Sequence, residues 1–80
     1  MNSVEVKSGR SKFVCTSKDK IMDNGNCYQL VTQKYQEHYY WLTPKLSKTE
    51  FKRLLKLGVL SEPYDIISHG YKVTMYDFKL

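Results

Sequence analysis

Residues 46–58 read LSKTEFKRLLKLG, a stretch with a leucine side and a lysine side, bounded by a start signal and a stop signal. Ser47 stands three residues before Glu50. In this S-x-x-E spacing the hydroxyl and the carboxylate each accept an orphan amide of a first helical turn. Gly58 follows the last periodic residue, where a left-handed residue is wanted to end a helix. The two signals predict a helix over 48–57. At 100° per residue, with Lys48 at zero, Lys52, Lys56 and Arg53 fall at about 40°, 80° and 140°. On the same count Leu54, Phe51 and Leu55 fall at about 240°, 300° and 340°. The helix is therefore expected to bury Phe51, Leu54 and Leu55 and to turn four cations outward, with Lys45 just ahead of them.

The segments around this helix read as strands. The chain contains no alanine and 7 tyrosines, a balance that disfavours a helical bundle and favours pleated, half-buried surfaces. KFVCTS (12–17) is a short strand with Phe13 and Cys15 on one side and Val14 on the other. Residues 17–26 pile up turn formers, with Asn24-Gly25 suited to a hairpin tip. CYQLVTQKY (27–35) and HYYWLT (38–43) carry the densest β signal and are expected to pair across Gln36-Glu37. Alternation puts Tyr28, Leu30, Thr32, Tyr39 and Trp41 on a core face and Val31, Gln33, Tyr35, His38 and Tyr40 on a wet face. Pro44 is expected to end that strand. Residues 61–70 read as a loop with at most a short strand or turn at 64–67, and YKVTMYDF (71–78) as a closing strand. The expected fold is α+β, a small antiparallel sheet of three to four strands with one helix packed on one face. The chain reads as a single small domain over 1–80, in which 1–11 form a flexible arm or a weak edge strand at Val4–Val6.

Eighty residues bury only about 60% of the surface of the unfolded chain, which leaves little room for a deep cleft. No apolar run approaches the ~18 residues of a membrane span, and the first residues lack the apolar core of a secretory signal, so the cytoplasm is the expected compartment. Cys15 and Cys27 have neither a CxxC partner nor a histidine pair nearby, which argues against zinc. Two half-buried free thiols are expected, with a disulfide left open as the alternative. No cofactor or metal is implied. The bias toward Lys, Tyr, Asn and Ile, with small size and basic charge, resembles the short proteins of bacterial phages and mobile elements, a resemblance of composition that names no family.

The charge carries the functional reading. Thirteen Lys and Arg against 8 Asp and Glu give a net charge of +5, and residues 45–56 hold five cations against Glu50 alone. A lysine face is also the ordinary solvated side of an amphipathic helix, but such helices usually interleave both signs. Lys45, Lys48, Lys52, Arg53 and Lys56 are therefore candidates for binding nucleic acid or an acidic partner, with Tyr35, His38 and Tyr40 as candidates for stacking or interface contacts. Lys7, Arg10, Lys12, Lys18 and Lys20 form a second basic group. The expected function is a non-enzymatic basic module that binds nucleic acid, single-stranded or RNA. The near-equal alternative is a phage-type inhibitor or accessory factor that docks on a host protein through Tyr, Trp41 and Arg53. A small ribonuclease built from His38 or His69 with Arg53 and Glu62 is a distant third, and a homodimer through a sheet edge is compatible with each reading.

Overall fold

A computed structural model describes residues 2–32 and 43–80. The turn expected at 36–37 and the strand expected over 38–43, up to residue 42, lie outside the described residues, and with them Tyr35, His38, Tyr40 and Trp41. The described elements are β1 (Val4–Ser8), β2 (Ser11–Cys15), β3 (Lys20–Asp23), β4 (Tyr28–Val31), β5 (Lys45–Leu46), α1 (Lys48–Leu57), β6 (Tyr64–Ser68) and β7 (Tyr71–Asp77). The α+β class holds, and the strand number is corrected. A five-stranded antiparallel sheet runs in the order β5-β4-β3-β7-β6, and β1 and β2 form a separate two-stranded sheet.

Local chemistry explains each turn. The β1–β2 hairpin closes at Ser8 and Ser11 around Gly9, whose φ of 60° is the positive value a two-residue turn wants at its first position. The β6–β7 hairpin closes at Ser68 and Tyr71 around His69 and Gly70, with φ 51° and 81°. Positive φ at both central residues matches the right-handed twist of the flanking strands. Asn24-Gly25 does occupy a hairpin tip, in a four-residue loop between β3 and β4 instead of a two-residue turn. Asn24 Oδ1 accepts the amides of Asn26 and Cys27 at 2.9 and 3.0 Å, and Asp23 Oδ1 accepts that of Gly25 at 2.9 Å.

β3 is the central strand, paired with β4 on one side and β7 on the other. It falls inside the stretch expected to be all turn. The turn occupies only Thr16 to Asp19, where the Asp19 carboxylate accepts the Thr16 amide at 2.8 Å. Ile21 and Met22 then point to opposite faces, so two apolar residues suffice to bury a strand with polar ends. β6, expected mainly as loop, pairs with β7 over all five of its residues. Pro44 does not end the pairing. The Leu30 amide donates to the Pro44 carbonyl at 2.8 Å, and Lys45 and Leu46 continue alongside β4. A proline is tolerated there because it stands at the start of a short edge strand: its carbonyl still accepts from β4, and only the one ladder bond that its missing amide would have donated is lost.

One face of the large sheet carries the main core. Ile21 and Leu30 pack there with Leu46, Phe51, Leu54, Val59, Leu60 and Phe78, joined by Val4, Val6 and Cys15 of the hairpin. Residues 4–8, read as arm or weak edge strand, thus form a strand whose Val6 is fully buried. Phe51 fixes the helix to the sheet. Its ring stacks on Tyr28 of β4, centroids 4.0 Å apart, and meets Tyr76 of β7 edge-on at 5.0 Å. The expected wet face is corrected at Val31. It is 2% exposed and packs with Met22, Val73 and Met75 on the other side of the sheet. Pairing on both sides and burial on both faces leave β3 and β4 the least solvated strands of the large sheet.

The helix spans 48–57 as its signals require, with the Ser47 hydroxyl accepting the Glu50 amide at 3.1 Å and Gly58 left-handed at φ 74°. Its roll about its own axis differs from the expectation. Leu55 is 47% exposed, whereas Glu50 is buried beside Phe51 and Leu54. The buried arc is centred near 250° instead of 290°, because Glu50 at about 200° is drawn inward. Phe51→Ala should remove about 3–5 kcal/mol of stability, since it deletes the ring that contacts two strands at once. Urea denaturation reads this directly, and a loss under about 1 kcal/mol would show that the helix is held elsewhere.

Candidate anion-binding face

Two ionic clusters decide which charges reach solvent. In the first, Glu50 Oε1 accepts Arg53 Nε at 2.6 Å, and Oε2 accepts Arg53 Nη2 at 3.0 Å. The Lys7 backbone amide of β1 donates to the same Oε2 at 2.6 Å. Arg53 Nη2 also donates to the Glu5 carbonyl of β1 at 2.9 Å. The anticipated capping box is therefore half formed. Ser47 caps α1, and the Glu50 carboxylate turns to another chain segment. The Arg53 guanidinium first, and the Lys7 amide with it, hold the Glu50 carboxyl below its ordinary value against the opposing effect of burial.

In the second cluster Asp77 Oδ1 accepts Lys20 Nζ and Tyr64 Oη, each at 2.6 Å. These bonds lower the Asp77 carboxyl and raise Lys20. Lys20, one of the second basic group, is thereby committed to an intramolecular pair that ties β3 to β7.

The candidate site divides accordingly. Lys48, Lys52 and Lys56 are exposed on the outer side of α1, and no acidic side chain pairs with them among the described residues. Successive members lie one turn apart, about 6 Å along the axis. Arg53 belongs to the clamp on β1. Lys45 is separated from the stripe: on β5 its neighbour Leu46 points into the core under α1, and alternation sends the Lys45 side chain to the opposite face of the sheet. There it lines an open cleft of 640 Å³ with His69, Lys72, Tyr71, Gln29 and Cys27. Tyr35, His38 and Tyr40 lie outside the described residues. Sequence reasoning missed the Glu50–Arg53–β1 clamp, for which the i,i+3 spacing of the two charges was the available signal.

The arrangement also bears on the catalytic alternative. His69 sits in the β6–β7 turn and faces the cleft, while Arg53 is on the helix side of the sheet. The structure does not bring the two together. Among the described residues no three His, Cys, Asp or Glu side chains converge as metal ligands, and no helix is long and apolar enough to cross a membrane. Both thiols are free, Cys15 buried and Cys27 partly exposed. Burial, and then the charge of Asp19, push the Cys15 thiol up to about 12. No protein family matches the chain, and neither a curated protein nor a solved structure is significantly similar to it.

Two expectations test this description. Because the folded Glu50 carboxyl is lowered, its contribution is complete above its unfolded value and is lost as pH falls through the folded one. Glu50→Gln should cost about 1–2 kcal/mol at pH 7, toward the low end because Arg53 is half-exposed and screened. The gap to the native chain should close between about pH 5 and 3 in urea titrations; a gap independent of pH would exclude the clamp. In a thiol-reagent assay on the folded protein, Cys27 should react within minutes and Cys15 only on unfolding, since reactivity needs an accessible thiolate.

Proposed function

We propose that the protein is a small non-enzymatic binding module that engages nucleic acid through the outer face of α1, with Lys48, Lys52 and Lys56 as its phosphate contacts. The supporting observation is the sorting of charge around the helix. Glu50 is turned inward and neutralised by Arg53, so the outward stripe keeps cations alone. Folding does not require this arrangement. Lys48 stands in the first turn, where the helix dipole disfavours a cation, and its i,i+4 spacing to Lys52 and Lys56 adds like-charge repulsion. Each effect costs a few tenths of a kcal/mol, and each reverses sign when a phosphate backbone lies along the stripe.

Arg53 contributes to this surface indirectly, by holding Glu50 away from it, and is not itself assigned a phosphate. The spacing of about 6 Å between lysines suits successive phosphates of one strand, a contact that reads charge and not base identity. Lys45 lies on the other side of the sheet and is left out of the contact set.

The test is the triple variant Lys48→Gln, Lys52→Gln, Lys56→Gln. Its stability should stay within about 0.5 kcal/mol of the native chain, as for other exposed substitutions. Its affinity for short single-stranded RNA should fall, and the log–log salt slope should become shallower by about 2, near 0.7 for each lost phosphate contact. An unchanged slope in the folded variant would remove the helix face from the binding surface. A native chain whose binding to RNA and DNA is absent would leave the stripe to an acidic protein partner.

A further inference from the structure

Among the described residues the two sheets have four outer edges, and the fold guards three of them. The open edge of β1 is capped by α1, since its outward amide at Lys7 and carbonyl at Glu5 are taken by Glu50 and Arg53. β2 carries the exposed Lys12 beside its turn at Gly9-Arg10, a charged guard of the kind natural edges use. β5 is two residues long, follows Pro44 and carries Lys45.

β6 also follows a proline, Pro63, but has none of the other devices. It is a regular five-residue strand without lysine, proline or bulge. Every second residue faces outward: with Ser68 and Tyr71 closing the hairpin, the ladder bonds to β7 fall at Ser68, Ile66 and Tyr64. The amides and carbonyls of Asp65 and Ile67 therefore point away from the sheet, unpaired. Ile67 is 72% exposed. The single charge of the strand is drawn off the edge, because the Asp65 carboxylate accepts Thr74 Oγ1 at 2.9 Å and pairs with Lys72 Nζ at 3.3 Å.

We propose that β6 is a dimerisation edge, pairing antiparallel with β6 of a second copy of this chain about a two-fold axis at Ile66. The strand YDIIS complements itself in this register. Asp65 of each copy exchanges both ladder bonds with Ile67 of the other, giving four bonds that satisfy every outward group named above. Ile66 faces Ile66 across the axis and Tyr64 faces Ser68, so like charges do not oppose. The neighbouring two-fold registers either set Asp65 against Asp65 or run into the turn at His69. Two five-stranded sheets become one sheet of ten, with the apolar face of Met22, Val31, Val73 and Met75 continued across the axis by Ile66 and Tyr64.

The interface is narrow and both copies carry +5, so the dimer is weak and strengthens with salt, opposite to nucleic-acid binding. Sedimentation equilibrium of the full chain from about 10 µM to 1 mM should show a monomer–dimer equilibrium. The dimer should be tighter at 0.5 M salt than at 0.1 M, roughly two Debye-length regimes apart. Ile67→Lys, at an exposed position, should keep the circular dichroism of the native chain and weaken association at least tenfold, roughly the effect of one guarded edge. In a chain also carrying Cys27→Ser, Ile66→Cys should form a covalent dimer under mild oxidation. Opposed Cα atoms in such a pair lie about 4.5 Å apart, within disulfide reach. Ser68→Cys in the same background should not cross-link. A monomer throughout the concentration range, or a dimer that Ile67→Lys leaves unchanged, would overturn the proposal. Neither result bears on the lysine stripe, which salt dependence of RNA binding tests by itself.

Discussion

The Glu50 carboxylate sits where helix, hairpin and sheet come together, and the structure is organised around what that charge must be given. A carboxylate that is 7% exposed is costly unless its oxygens are filled with donors. Arg53 supplies two, one turn along the same helix, and the Lys7 amide supplies a third from the edge of β1. Because Arg53 also reaches the Glu5 carbonyl, the pair presents one donor and one acceptor to β1 in the alternation a neighbouring strand would offer. The two-stranded hairpin, too small to stand alone, is thereby fastened over the core and delivers Val4, Val6 and Cys15 to it.

This one arrangement sets the surface as well. Drawing Glu50 inward rolls α1 so that Leu55 comes out and Leu54 and Phe51 go in, and it removes both Arg53 and Glu50 from the outer stripe. What remains outside is a row of three lysines. At the other end of the sheet the Asp77 carboxylate performs a similar task, accepting Lys20 from β3 and Tyr64 from β6. The ion pairs among the described residues consume cations whose neighbours are acidic, and the exposed stripe on α1 is part of what they leave.

The helix was legible because its signals are local: a hydroxyl cap, a left-handed glycine and a 3.6-residue period lie within thirteen residues of one another. The hairpin turns were legible in part for the same reason, since positive φ favours glycine, although His69 adopts it as well. β3 was hidden because Lys20 and Asp23 flank two apolar residues in a run of turn formers, and its identity comes from β4 and β7 on either side. β6 was hidden because its strand character lies in pairing with β7, with Pro63 and Ser61 masking its start. The capping box misled for a related reason. Ser47 and Glu50 have the right spacing, but whether Glu50 bonds its own helix or another segment depends on what lies beside it.

By itself the sequence determined the α+β class, the bounds of α1, its cap and stop, the strand at 71–77 and the excess of positive charge, all of which follow from neighbours a few residues apart. The tertiary structure decided the number and order of strands, the roll of the helix, the burial of Val31 and the removal of Arg53 and Lys20 from the free cations. Each of these depends on partners far away in the chain, such as Lys7 with Glu50 and Lys20 with Asp77. A sequence displays its charges without saying which will find a partner, and the pairing of charges is what separates a binding face from a structural one.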